Sequence, residues 1–159
     1  MTKKSPTLFG LVNIFDDPLT EGPEPTSKLV CRAQGLYGSA GQQEVGLLLA
    51  RNLVFIAGKF NGSTLTILGK NAVFHPIREM PIIDETGAFR LACGFVQAKT
   101  HFSNLTSGDA IVEYHVVAYT LLSSNNGVYI LFQRTTLCLY ISITNSSNLL
   151  GLCKFVGLF

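Results

Sequence analysis

Charge is what this sequence has least of. Only 14% of its 159 residues are Asp, Glu, Lys or Arg, and the signs nearly balance at a net +2. The basic residues are scattered, and the longest basic run is Lys3-Lys4. That leaves no positive patch for a phosphate backbone, so nucleic-acid binding is not expected. Histidine is scarce (His75, His101 and His115), and no two cysteines have Cys-x-x-Cys spacing. A zinc site is therefore not expected. A Gly-rich phosphate loop, a Gly-x-Ser-x-Gly elbow and a His-Glu-x-x-His helix are all missing, and no metal or cofactor is expected. No apolar stretch runs unbroken for about 18 residues, the length a membrane-spanning helix needs. The best candidate, Val128 to Ile143, is interrupted by Gln133-Arg134. Met-Thr-Lys-Lys-Ser-Pro leads into no apolar core of signal-peptide length, so no export signal is expected there.

Apolar residues, by contrast, make up 47% of the chain. That is too many for a disordered segment and enough for one domain with a real core. Cys31, Cys93, Cys138 and Cys153 are expected as isolated buried thiols, because free cysteine behaves as a small hydrophobe. In a secreted protein disulfides stay open, with three complete pairings.

The first 120 residues read as strands punctuated by turns. A strand is expected over Ser5 to Phe15, ending at Asp16-Asp17-Pro18, where proline cannot continue a ladder. Pro18 to Thr26 holds three prolines and a glycine and is expected to be a rigid loop. Lys28 to Tyr37 follows as a strand, with Gly35 and Gly38 marking a bulge or a close backbone approach. Glu44 to Ala57 is read as a longer strand, because its β-branched and aromatic end outweighs the helix-favouring Leu and Ala at its start. Ser63 to Leu68 alternates Thr with apolar residues, the period of a half-buried strand. Gly69-Lys70-Asn71 and Asp84 to Gly87 read as turns, Ala72 to Ile83 and Ala88 to Phe102 as extended, and Ala110 to Tyr119 as the clearest strand. No amphipathic helix pattern persists for three turns. About seven strands at hairpin spacing imply an antiparallel barrel or sandwich. Residues 120–159 contain no acidic residue and only two basic ones, Arg134 and Lys154. They lack turn punctuation and read as a separate apolar tail.

Residue types alone give weak site signals. Asp16-Asp17 has the makings of a carboxylate pair for acid–base work, but a turn before proline is the simpler expectation. Asp84-Glu85, before a glycine, reads the same way. Glu113 and His115 stand two apart on one strand face and offer an acid–base pair or a surface pair. Arg78 and Arg90 offer a guanidinium for a carboxylate or a phenol, or an exposed ion pair. Asn-x-Ser/Thr sequons occur at Asn61, Asn104 and Asn145. The first two fall in expected hairpin turns and are glycosylation candidates.

Longer blocks carry more. The run Asn13 to Pro25 (NIFDDPLTEGPEP) resembles the plant dirigent family. So do Arg32 to Gly38 (RAQGLYG), Phe60 to Leu65 (FNGSTL), Arg78 to Pro81 (REMP), Thr86 to Arg90 (TGAFR), Ala98 to Thr100 (AKT) and Gly108 to Tyr114 (GDAIVEY). These blocks keep the family's order from about residue 5 to residue 117. The resemblance implies an all-β, eight-stranded antiparallel barrel like that of allene oxide cyclases. It also implies a secreted, apoplastic protein that self-associates as a dimer or trimer. A laccase or peroxidase partner would make phenoxy radicals of monolignols, and the barrel would set the stereochemistry of their lignan-type coupling without oxidising anything itself. Some members of the family instead cyclise phenolic quinone methides.

The resemblance also marks departures. Family members carry a signal peptide and a first strand of the type Phe-x-x-His-Asp with a pocket aspartate, and this sequence starts after it. The expectation is therefore residues 1–119 as a dirigent-like barrel lacking its first strand, and residues 120–159 as a non-family tail. Cys93 stands where many members have a pocket arginine, and Gly87 where lignan-forming members often have an aspartate. Asp84 and Glu85 replace two usual glycines, and Cys31 a third. Pocket candidates on this basis are Tyr37, Phe55, Gly87, Cys93 and Phe95. The readings that follow are a stereo-directing protein, a cyclising enzyme on the same barrel, and a product without activity.

Overall fold

The computed structural model describes residues 5–104, 106–107, 109–124 and 127–143, with the backbone alone for 121–124 and 127–132. Its eight strands are β1 (Val12–Thr20), β2 (Leu29–Ser39), β3 (Leu47–Phe55), β4 (Thr64–Asn71), β5 (Arg78–Glu85), β6 (Cys93–Asn104), β7 (Asp109–Ser124) and β8 (Gly127–Ile143). Each pairs antiparallel with the next, and β8 returns to β1 to close the barrel. The all-β class, the antiparallel order and the eight-stranded barrel that the resemblance implies agree with the expectation, but no strand is lacking from the closed barrel: β8 joins the roughly seven strands read from the sequence and takes the place beside β1. Among the described residues no helix is long and apolar enough to cross a membrane.

Period-two alternation builds the interior. In β3, Leu47, Leu49, Arg51, Leu53 and Phe55 are buried while Leu48, Asn52 and their alternates face out. The same phase places Tyr37 and Ala33 of β2, Leu65 and Ile67 of β4, Arg78, Met80 and Ile82 of β5, and Val112, Tyr114 and Val116 of β7 inside. Gly35 does mark a close backbone approach: a Cβ there would lie 2.1 Å from the Ala50 carbonyl oxygen. Only a residue without a side chain lets β2 and β3 stay paired at that point.

Several boundaries move. The strand expected over Ser5 to Phe15 lies farther along, at Val12–Thr20, and includes Asp16, Asp17 and Pro18. Leu8 and Gly10, at φ 55° and 86°, turn the chain before it. Pro18 is tolerated because β8 meets β1 only at Leu19 and Thr20, so most of β1 is paired on one side alone. Gly69-Lys70-Asn71 continues β4 instead of turning, and Asp84 and Glu85 end β5. The eighth strand comes from the segment the sequence sets apart as a tail. Register runs from Ala110↔Ile143 to Ser124↔Gly127, and Ile141 reaches Leu19. Leu139 and Ile141 are 3% and 1% exposed, so this strand buries apolar side chains in the common core.

Candidate functional site

One end of the barrel is sealed. Short 3₁₀ turns at Gly58–Phe60 and Gly87–Phe89 fold over it. Ring centroids of Phe55, Phe60 and Phe89 lie 5.8, 5.2 and 4.7 Å apart in pairs. Phe89 is fully buried. Stacked, tilted and edge-on rings at these distances pack directly against one another.

The opposite end holds a cavity of about 430 Å³, within the range of small-molecule sites. It lies where β1, β3, β5 and β7 begin and β2, β4, β6 and β8 finish. Phe15, Tyr37, Leu47, Leu49, Val112 and Tyr114 supply an apolar and aromatic wall. Asp17, Arg51, Asn71 and Arg78 supply polar groups, all buried, and Lys99 and His75 stand exposed at the rim.

Arg51 is the central feature. Its Cζ lies 4.6 Å from the centroid of the Tyr114 ring and 5.1 Å from that of Phe15. Two aromatic faces therefore hold the guanidinium by cation–π attraction. Its Nε and Nη1 atoms are buried without hydrogen-bond partners. Arg78 donates from Nε to the Ala98 carbonyl at 3.3 Å, and from Nη1 to the Val73 carbonyl at 3.0 Å and Thr100 Oγ1 at 3.1 Å. Its Nη2, like Asn71 Oδ1, is buried without a partner. Burial lowers the Arg78 pKa from its usual value, Tyr114 opposes the shift and the nearby Arg51 charge adds to it. Burial also pushes the Asp17 carboxyl up; the Arg51 charge offsets part of this, and neighbouring Asp16 adds to it. No ion pair joins Asp17 to an arginine among the described residues. Donors left dry and unpaired are costly, so a wall that collects several of them is shaped for an acceptor-bearing guest.

Of the pocket candidates read from the sequence, the structure places Tyr37 on the cavity wall and the other four elsewhere. Phe55 belongs to the sealed end. Gly87 sits in a turn at φ 64°, where a Cβ would lie 2.5 Å from Ser63 Oγ, so an aspartate would be strained there. Cys93 and Phe95 face away from the interior, which β6 lines with Val96 and Ala98. The alternation counted from Gly87 does not reach β6, because a 3₁₀ turn and Leu91 at φ 61° intervene. A slip of one residue then turns each side chain to the other face.

Arg78 is on the wall and Arg90 is exposed. Glu113 and His115 lie on the outer face, where Glu113 accepts a hydrogen bond from Cys138 Sγ at 3.2 Å. Asp16 and Asp17 part company: Asp16 turns outward to Arg32 and Asp17 inward. Arg51 was missed, though an arginine on the inward phase of Leu47-x-Leu49-x-Arg51-x-Leu53 was a usable signal. Cys31 is a buried free thiol, its pKa pushed up to about 12 by burial. Cys93 and Cys138 are free but exposed, contrary to the expectation of buried thiols, because both fall on the outward phase of their strands. Asn61 and Asn104 are exposed; Asn104 Oδ1 also accepts from the Thr106 and Ser107 amides. Asn145 and Cys153 lie outside the described residues. No group of three or more potential metal ligands occurs among the described residues.

Comparison with known proteins gives a consistent result. Residues 1–119 match the family model described as dirigent-like protein. Dirigent protein 21 of Arabidopsis thaliana is 57% identical over 115 residues, covering 72% of this chain and 61% of that protein. Pterocarpan synthase 1 of Glycyrrhiza echinata is 52% identical over 112 residues, covering 70% of this chain and 60% of that one. The solved structure of the pterocarpan synthase dirigent protein GePTS1 superposes with a TM-score of 0.70 at 48% identity, covering 79% of this chain and 74% of that one. The chain thus spans about three fifths of the length of the curated relatives it matches.

Proposed function

Because the chain belongs to the dirigent family, we propose that its barrel directs the stereochemistry of coupling between phenylpropanoid radicals in lignan formation. The radicals, of the coniferyl alcohol type, come from a separate laccase or peroxidase. The observation that carries the reading is the cavity at one end of the barrel, whose wall combines Phe15, Tyr37 and Tyr114 with buried donors that lack partners, a lining suited to an aromatic guest bearing oxygens. Holding a reactant in one orientation favours one coupling face without any change in the oxidation step. The test is coupling of coniferyl alcohol by a laccase with and without the protein, read by chiral chromatography. An enantiomeric excess is expected, and a racemic product rejects the reading.

A second reading is favoured by Asp17 and by the likeness to pterocarpan synthases. On this reading the site closes a ring on a quinone methide. A substrate hydroxyl adds to the methide carbon and gives up its proton, and the quinone oxygen takes a proton and becomes the phenol. A carboxyl whose pKa burial has raised is suited to carry that proton. Turnover of a quinone methide with no oxidase present would favour this reading over the first.

Self-association is part of the proposal. Ile14, Leu36, Ala50 and Leu68 stand opposite one another across β1 to β4, and Ile14 is 79% exposed. An outward apolar row of this kind suits a second copy of the chain. An apoplastic location follows from the same family reading.

A further inference from the structure

We propose that the cavity selects a carboxylated phenylpropanoid, an aromatic ring bearing a cinnamate-type side chain, and seats its carboxylate on Arg51 and Arg78. The inference rests on the cavity being a phenylpropanoid site, and it names which oxidation state of the side chain that site prefers. Arg51 and Arg78 are each 6% exposed, so neither is solvated from outside. Arg51 Nε and Nη1 and Arg78 Nη2 are dry N–H donors with no acceptor. Arginine cannot relieve this by losing its proton, because its pKa is too high.

The charge count points the same way. The lining includes Arg51, Arg78 and Lys99 against a single acidic residue, Asp17. Asp17 pairs with neither arginine, and burial favours its neutral form. The cavity thus carries surplus positive charge facing an empty space. A carboxylate is acceptor-only, planar and ionised at neutral pH, which matches guanidinium donors in charge and in geometry. An alcohol at the same position brings no charge and leaves donors unpaired. The rings of Phe15 and Tyr114 hold Arg51 in place before any guest arrives, so little ordering cost is added on binding.

Two probes with the same ring and carbon chain separate the possibilities: 4-hydroxy-3-methoxycinnamate, which ends in a carboxylate, and coniferyl alcohol, which ends in a hydroxyl. Titration calorimetry of the full chain at pH 7, with no oxidase present, is expected to show the carboxylate binding tighter by about tenfold or more. Arg51→Met is expected to abolish that preference by weakening the carboxylate about tenfold or more. Arg90→Met, exposed and at the sealed end, is expected to leave it intact. If Arg51→Met does not fold, Arg51→Lys serves instead and is expected to weaken the preference, since an ammonium lacks the guanidinium fork. Coniferyl alcohol binding as tightly as the acid overturns this inference and leaves the cavity reading standing. An unchanged preference in the Arg51 variant does the same. Binding of neither probe overturns both.

Discussion

At one end of this barrel three phenylalanine rings close on one another with centroids 4.7–5.8 Å apart, while at the other two arginines face a cavity of about 430 Å³ with donors unspent. The same strands build both ends. Along β3, Phe55 ends in the plug and Arg51, four residues earlier on the same inward face, lines the cavity. One end spends its side chains on packing, which stabilises the fold. The other keeps polar groups out of water without pairing them, which costs stability and is useful only when something binds.

That contrast makes opposite forecasts for substitutions at the two ends. The largest effect belongs to the plug. Phe89→Ala should cost about 3–5 kcal/mol, because a fully buried ring leaves a cavity that its neighbours fill only partly. Urea denaturation reads it directly, and a loss below about 1 kcal/mol would mean the sealed end is not close-packed. At the open end the sign should reverse. Arg51→Met, without ligand, should be neutral or stabilise by about 1–2 kcal/mol, since it removes a buried unpaired charge. A loss comparable to that of Phe89→Ala would show that Arg51 is structural.

Two neighbouring carboxylates sharpen the comparison on one strand. The Asp17 pKa is raised by burial, so its contribution to stability is present below the unfolded value near 3.8 and is lost as pH rises through the folded value. Asp17→Asn should therefore raise the melting temperature at pH 7 and change it little at pH 3. The Asp16 pKa is lowered, first by its hydrogen bond with Arg32, whose Nε lies 2.6 Å from Oδ1. Its contribution is present above 3.8 and is lost as pH falls through the folded value. This pair is half exposed and screened, so Asp16→Asn should cost at most about 0.5 kcal/mol at pH 7, and less at high salt. Melting curves at several pH values should thus give the two variants slopes of opposite sign.

Reading the sequence recovered the strands that alternate cleanly, such as β2 and most of β7, because period two is a local property of the chain. It put forward Tyr37 through family likeness and Arg78 as a guanidinium for a carboxylate or a phenol, and both stand on the cavity wall. It misplaced β1, because Asp-Asp-Pro reads as a turn wherever a strand is paired on both sides, and only the β1–β8 seam shows that this one is not. It set residues 120–159 apart because they lack charge and turns, which says nothing about what lies beside them in space.

Composition, alternation and the order of the sequence blocks determined the class of fold and the family. These depend on residues near one another along the chain. Which end of the barrel is open was decided only by tertiary structure. So was the phase of Cys93, and so was the meeting of Arg51, Arg78 and Asp17 from three strands. Those outcomes depend on register, and register depends on turns such as Gly87 to Leu91, where two residues at positive φ shift the count. The strand that completes the barrel is the plainest case: β8 joins Leu19 through Ile141, more than a hundred positions away, a pairing that no local pattern records.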